Sequence, residues 1–545
     1  MKDLSEAGTK TQDLAVGTSS EDKAVVHDDS TTDKFNTPKQ TSPSSEADDG
    51  LHGGQSFSLI HEVLFVSLVC SAQLLTQAGL GQALAPLHII SSSYGSPQPG
   101  QLAWFIAGYS LTVGTFILIA GRAGDILGHK KLFVAGYLWY GLWSLVAGLS
   151  VYSHSPAFFS ACRALQGIGP AMLLPNALAI LGRTYQTGKR KDMVFALFGA
   201  TAPNGFILGA LFSSLLAELA WWPWAYWILT VVCLLLALSA VAIIPPMPGT
   251  GPISLSAFDP LGSLLGVVGL ILFNVAWNQA PISTWSSPAV LVPLILGLGL
   301  LVAFFFIENH VVAHPLIPSS ALSVHNVFIL ACVGLGWSSF GCWAYYFWQF
   351  VETLRGVSPL LGTAQIVPAG ISGLFAALTT GYLLSRAPPS TIMSAALLAF
   401  FTGNTLLATM PVTQTYWLQT FFSILITPWG MDMSFPAGTV ILSDFMPRGQ
   451  QGLAASLVNT VVNYSISIGL GIAGTVEVHV NEGGKDLLKG YRGALYTGMG
   501  LSGMGVLVSG CFIMSELKKR RSQEKDLDAI VGERAGGFFK EGGQA

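Results

Sequence analysis

Between residues 56 and 515 long apolar stretches alternate with short polar ones, and each stretch approaches the ~20 residues that a helix needs to cross a bilayer. Fourteen such spans can be read, at 61–83, 101–121, 131–151, 157–182, 193–217, 224–244, 261–279, 288–307, 326–350, 360–384, 391–410, 415–440, 452–476 and 493–514. Two breaks divide them into six, two and six. The first is rich in Pro and Gly (Pro245, Pro246, Pro248, Gly249, Gly251, Pro252), and the second is the polar stretch 308–325. The pattern predicts an all-α polytopic membrane protein with an N-terminal six-helix bundle over 56–244, an inserted two-helix linker over 245–325 and a C-terminal six-helix bundle over 326–515. Residues 1–55, rich in Ser, Thr, Asp, Lys and Gly, read as a disordered cytoplasmic tail without a cleavable signal peptide. Residues 516–545 read as a second cytoplasmic tail.

Composition strengthens this picture. The chain is 51% hydrophobic and 10% charged, against about 25% charged in soluble domains. The two tails hold more than half of the charges and leave 26 for the 460 residues between them, too few to cover a water-soluble surface of that size. The net charge of −3 comes from the acidic N-terminal tail, and nothing in the chain has the basic footprint of a nucleic-acid binder. An even number of spans puts both termini on one side. With the termini inside, the inner loops and the start of the C-terminal tail (Lys518 to Arg521) carry thirteen Lys and Arg residues and the outer loops four, which fits the positive-inside rule. The plasma membrane is the expected location, with a vacuolar membrane as the alternative.

Some features read as structural. The six cysteines (Cys70, Cys162, Cys233, Cys332, Cys342, Cys511) lie in apolar runs without metal-ligand spacing, as small packing residues. Trp221, Trp222, Trp224 and Trp227 read as interface anchors on the outer side. The sequon Asn463-Tyr464-Ser465 falls inside a span and is expected to be unmodified. Glu62, Glu218, Asp259, Glu308 and Glu352 sit near span ends, where water is expected to reach them, which leaves Asp432 as the one acid deep in a span.

Chemistry concentrates at four places. The loop after the second span reads Gly121-Arg122-Ala123-Gly124-Asp125-Ile126-Leu127-Gly128-His129-Lys130-Lys131, in which spaced glycines permit a tight turn around a single acid and cations face the anionic leaflet. Span four holds Arg163 with Gln166 and Gly167 about one turn on. A cation in mid-bilayer is costly unless it faces a polar interior, so Arg163 is a functional candidate, with a structural Arg bonded to carbonyls as the competing reading. Span five, Gly199-Ala200-Thr201-Ala202-Pro203-Asn204-Gly205-Phe206-Ile207-Leu208-Gly209, places Gly205 and Gly209 on a small-residue face beside Pro203, a packing hinge first and a marker of exchange direction second. In the second half Asp432 is expected to act as a proton carrier, with substrate-cation contact and structural hydrogen bonding as the other readings. Asn459 and Asn463 share one helical face and either line a cavity or glue helices together.

These residues resemble the major facilitator superfamily. Gly121, Asp125, Gly128 and Lys130 match its G-x-L-a-D-r-x-G-r-k loop, with Ala123 and Ile126 as departures. Arg163, Gln166, Gly167, Gly169 and Ala171 match its R-x-x-Q-G-x-G-x-A pattern. The antiporter pattern G-x-x-x-G-P-x-x-G-G is met only in part, since Ala202 precedes the proline and Phe206 and Ile207 replace the final glycines. Leu219 to Trp224, Gly430 to Pro436 and Ser456 to Ser465 resemble the fungal fourteen-span drug:proton antiporters, closest to the aminotriazole-resistance and boron-efflux type, a group that also includes low-affinity ammonium transporters. The resemblance implies proton-coupled efflux of small toxic compounds by alternating access, with proton coupling at Asp432 and Arg163. It also implies a conformational motif at Gly121, Arg122, Asp125, Gly128 and Lys130. Gln166, Asn459 and Asn463 are expected to face the substrate cavity. Low-affinity uptake of a solute such as ammonium is the alternative, and a transporter-like nutrient sensor the third. The expected partners are a small-molecule substrate, protons and the bilayer. No cofactor, metal or enzymatic activity is expected, because no nucleophile–base pair or ligand set is present.

Overall fold

A computed structural model describes residues 58–95, 99–186, 188–247, 258–312, 315–317, 321, 323–444 and 451–541. The expected tail 1–55 lies outside these residues, as do Pro248, Gly249, Gly251 and Pro252 of the first break and Arg448 of an inner loop. Among the described residues the regular elements are helices: α1 (Leu59–Leu84), α2 (Leu87–Ser92), α3 (Pro99–Leu127), α4 (His129–Leu149), α5 (Pro156–Thr184), α6 (Lys189–Leu219), α7 (Pro223–Ile243), α8 (Pro260–Ser283), α9 (Pro288–His310), α10 (Val324–Trp348), α11 (Pro359–Leu384), α12 (Pro389–Thr409), α13 (Gln419–Asp444), α14 (Gln451–Val480) and α15 (Leu487–Glu541). All fourteen expected spans are present. Thirteen are long and apolar enough to cross a membrane, and α13 has the length but a more polar sequence around Asp432, Pro428 and Pro436.

Local chemistry sets the helix starts. A proline occupies the first turn of α5, α7, α8, α9, α11 and α12, where its missing N–H costs nothing. Side-chain oxygens cap others: Ser58 accepts from the His61 amide at 3.3 Å, Ser155 from Phe158 at 3.3 Å and Ser358 from Leu361 at 3.3 Å. At the end of α10 the chain widens into a π-helical turn, Gln349–Leu354.

One bundle comprises α1 and α3–α7 and the other α10–α15, and they meet along α3 against α14 and α6 against α11. The inserted α8 packs on α3 and α14, with α9 against α8. Asn278 and Asn274 make that attachment polar. Asn278 Nδ2 donates to Ser467 O at 3.1 Å, and Ser467 Oγ donates to Asn274 Oδ1 at 2.8 Å.

Small residues let the helices approach. A side chain on Gly205 would meet Leu74 Cα at 2.9 Å, and one on Gly209 would meet Ala78 Cα at 2.5 Å, so α6 lies backbone to backbone on α1. Gly209→Val is therefore expected to force these helices apart, seen as less folded protein in detergent by size-exclusion fluorescence and a lower melting temperature. The same substitution at Gly199, whose missing side chain would meet nothing within 4 Å, should leave both unchanged.

Several positions differ from the sequence expectations. The short α2 follows α1 directly. Trp222 is not an interface anchor: it is 2% exposed, donates to Ser93 Oγ at 2.9 Å and packs against Tyr94, Phe159 and Tyr226. Cys511 is exposed, whereas the other five cysteines are buried. Asp259 and Glu308 are only 6% and 4% exposed: Asp259 Oδ1 accepts from the Gly262 amide of α8 at 3.1 Å, and the chain after α9 folds back and donates Ile317 N–H to Glu308 Oε2 at 3.4 Å. Glu352 is also buried, with its side chain 5% exposed. The helix that was expected to end near 476 continues to Val480 and carries Glu477, 3% exposed, so Asp432 is not the sole interior acid. Beyond 515 the backbone of α15 stays helical to Glu541.

Candidate functional site

The Gly-rich loop joins α3 to α4 at the end of the molecule that carries most of the Lys and Arg residues, called here the basic end. Gly128 has φ +102°, a conformation L side chains rarely adopt, and this permits the abrupt turn. Asp125 accepts from Arg183 on α5 at 3.2 Å. His129 Nδ1 donates to Asn176 Oδ1 at 2.8 Å, tying α4 to α5. Lys130 donates to Val241 O at 2.8 Å and Ile244 O at 2.5 Å, capping the carbonyl end of α7 with a positive charge. The motif thus locks α3, α4, α5 and α7 together at one end. Glu62 adds α1 and α6 to the same end by accepting from Tyr185 at 3.1 Å and Arg190 Nε at 2.8 Å.

Arg163 is fully buried inside the N-terminal bundle. Its Nε donates to Phe105 O at 3.1 Å, one terminal nitrogen donates to Gly79 O at 2.6 Å, and the other donates to Gln166 Oε1. The guanidinium carbon lies 4.5 Å from the Tyr109 ring centre, a cation–π contact. Gln166 passes the chain on to Ser144 Oγ at 2.7 Å and is itself fully buried, facing protein instead of a cavity. Arg163 therefore joins α1, α3 and α5. Among the described residues it has no carboxylate partner. The structure does not bring it together with Asp432, which stands in the other bundle. Tyr109 carries as much of this cluster as the Arg, and only its place one turn before Thr112 on an otherwise apolar face marked it in the sequence.

Asp432 lies midway along α13, four residues from a proline on either side. Pro436 lacks the N–H that would bond the Asp432 carbonyl, so a backbone acceptor is left free on the same residue as the carboxyl group, and Pro428 frees Ile424 O about two turns away. The side chain is half-buried, and its Oδ2 is shielded from solvent without a hydrogen-bond partner among the described residues. It stands beside Gly373 of α11, whose missing side chain would meet Asp432 Oδ2 at 2.8 Å and Pro203 Cβ at 3.2 Å. Pro203 belongs to the opposite bundle, so Asp432 stands at the boundary. Asn204, which sequence reasoning left unassigned, joins it there: it is exposed, and its Oδ1 is 3.6 Å from where a Gly370 side chain would begin. Trp337, Trp343 and Trp429 fix α13 around the acid through hydrogen bonds to Ser434 Oγ (3.1 Å), Ser423 Oγ (2.8 Å) and Ser372 Oγ (3.1 Å).

Asn459 and Asn463 are 9% and 7% exposed and spend their amide donors on their own helix, to Ala455 O at 3.2 Å and Asn459 O at 3.0 Å. They stand near the α3 contact, where a Gly114 side chain would meet Tyr464 N at 2.6 Å, which favours packing over cavity lining.

The two bundles also touch at the end opposite the basic loops. Ser214 and Thr363 hydroxyls are 3.0 Å apart, Glu218 accepts from the Leu360 amide at 2.6 Å, and His88 Nε2 lies 3.1 Å from Thr353 Oγ1. Burial pulls the His88 imidazole below its ordinary pKa, opposed by a hydrogen bond to Gln349. The far end is closed in this structure.

Comparison with known proteins agrees with this architecture. The Major Facilitator Superfamily model matches residues 68–471. The chain is 60% identical over 475 residues to the low affinity ammonium transporter of Saccharomyces cerevisiae, covering 86% of this chain and 92% of that protein. It is 48% identical over 467 residues to the efflux pump terJ of Aspergillus terreus, covering 85% and 90%. It is 41% identical over 469 residues to the aminotriazole resistance protein of Saccharomyces cerevisiae, covering 85% and 86%. With its two bundles, its inserted helix pair and the locked basic-end loop, the chain belongs to the Major Facilitator Superfamily of membrane transporters.

Proposed function

We propose that the protein exports small toxic compounds across the plasma membrane in exchange for protons, with both termini cytoplasmic. The observation that carries this reading is the Asp432 carboxyl group, held at the bundle boundary with one oxygen unpartnered. A boundary carboxyl meets solution from one side and then the other as the bundles rock. Gaining a proton on the outer side and losing it inside couples the gradient to cargo leaving. Asn204 and the Asp432 carbonyl freed by Pro436 offer the nearby polar contacts for that cargo. Arg163 acts within this cycle by holding α1, α3 and α5 as one body.

The resemblance to efflux pumps supports the direction. The 60% identity to a protein named as an ammonium transporter supports a second reading, uptake of a small cation. Accumulation in a transporter-depleted yeast, over aminotriazole, borate, azoles and methylammonium, separates the two. Export is expected to lower accumulation in a way that a protonophore abolishes. Higher methylammonium accumulation in expressing cells would replace export with uptake, and lowered accumulation that resists the protonophore would remove proton coupling.

A further inference from the structure

Glu477 has no part in the cycle just described. It stands on α14 near the far end, 3% exposed, and its Oε2 accepts from the Tyr346 hydroxyl at 2.7 Å. The polar groups around that bond are tyrosines: Tyr346 of α10 carries the donor, and its ring has Tyr345 of α10 and Tyr491 of α15 beside it, with ring centres 5.0 and 5.9 Å away. Its own helix end adds Asn481, and α8 presents only Pro281 near the turn below, at Gly474. Arg492, beside Tyr491, directs its guanidinium to Met410 O at 3.2 Å. Among the described residues no Lys or Arg pairs with Glu477. An ionised carboxylate with a single neutral donor is poorly stabilised in such a place.

The surroundings also exclude a solute. Tyr345, Tyr346 and Tyr491 are 2%, 1% and 5% exposed, so bulky side chains cover the carboxyl group. A line of polar groups does lead outward. Tyr491 donates to Gln349 Oε1 at 3.4 Å, and the Gln349 amide nitrogen is otherwise unpartnered. Beyond Gln349 stands His88, whose side chain is 34% exposed at the far end, bonds Thr353 Oγ1 at 3.1 Å and lies 3.9 Å from the buried Glu352 carboxylate. The π-helical turn carries Gln349 and Glu352 together, a distortion frequent at functional sites.

We propose that Glu477 is a second proton-binding carboxyl of the transport cycle, separate from Asp432, exchanging protons with the far end by way of the Tyr491 hydroxyl, on the side where Gln349 and His88 stand. Proton uptake makes a new O–H bond on the Glu477 carboxylate at the expense of the His88 imidazolium or a hydronium ion, and no other bond changes. Its place in the cycle rests on the proton-coupled reading above, whereas the protonation itself does not.

Infrared difference spectra of the full chain in lipid nanodiscs, stepped in pH without any cargo, test this. A protonated-carboxyl stretching band is expected that Glu477→Gln removes and Tyr346→Phe shifts. After a pH jump the band should rise at least about tenfold more slowly in Tyr491→Phe, with the same final amplitude, as a positioned proton-transfer group is lost. A band unaltered by Glu477→Gln, or by Tyr346→Phe should the first variant fail to fold, would overturn the site. An unchanged rate in Tyr491→Phe would overturn the route. Failure of the export reading would appear as unaltered cellular accumulation and leave these spectra as expected, whereas loss of the expected spectra would leave export untouched.

Discussion

Asp432→Asn will abolish gradient-driven transport while leaving the amount of folded protein close to wild type. The amide has nearly the same shape, and the oxygen that it replaces has no hydrogen bond to lose among the described residues. Replacing a charged oxygen that is shielded from water and unpartnered takes away a cost and not a contact. What disappears is the ability to take up and release a proton where the bundles meet. One proton moving down one pH unit is worth ~1.4 kcal/mol and supports about a tenfold gradient of cargo, so the variant should forfeit about tenfold of concentrating power per pH unit. Proteoliposomes with an imposed pH gradient measure this directly, and exchange of labelled cargo without a gradient should persist. A variant that still concentrates cargo in proportion to the imposed gradient would assign the proton to another group.

Arg163→Ala is expected to act through the fold. The guanidinium bonds Phe105 O on α3, Gly79 O on α1 and Gln166 on its own helix, and stacks on Tyr109. Those carbonyls keep their helical partners, so the main losses are a clamp across three helices and a side chain of large volume from a fully buried site, for which large-to-small changes cost about 2–5 kcal/mol. Recovery of folded protein should fall sharply. Arg163→Lys should restore part of it, because an ammonium is a point donor and cannot serve two helices in the fork geometry of a guanidinium. Transport by the folded fraction of Arg163→Lys should keep the pH dependence of wild type. A displaced pH profile would show instead that Arg163 takes part in proton coupling.

The spans were legible because a bilayer imposes one simple demand, about 20 apolar residues per helix, and the described helices start within four residues of the expected positions except α15, which starts at Leu487 instead of 493. The basic-end motif was legible too, since glycines around one acid have few uses. What lies between helices was not. That Arg163 meets carbonyls and a ring, and not Asp432, depends on which faces of α1, α3 and α5 turn inward, and no single span records this. Glu477 lay one residue beyond the expected end of its helix, and the span's reach to Val480 put it inside. Glu308 was misjudged for the converse reason: being near a helix end places a side chain in water only if the following chain does not fold back over it, and Ile317 does.

The polarity of α13 bears on how the molecule is made. A segment entering the membrane from the ribosome is sorted by its own partition free energy, and an Asp at the centre adds about 2.5–3.5 kcal/mol against entry. Among the fourteen spanning helices, Gln419–Asp444 is the one whose composition does not secure that step by itself. Its neighbours α12 and α10 hold it through the Trp and Ser contacts and by close packing, so its insertion is a cooperative event that waits on segments already in place. The helix that bears Asp432 is thus expected to enter the membrane by association with its neighbours, not by its own composition.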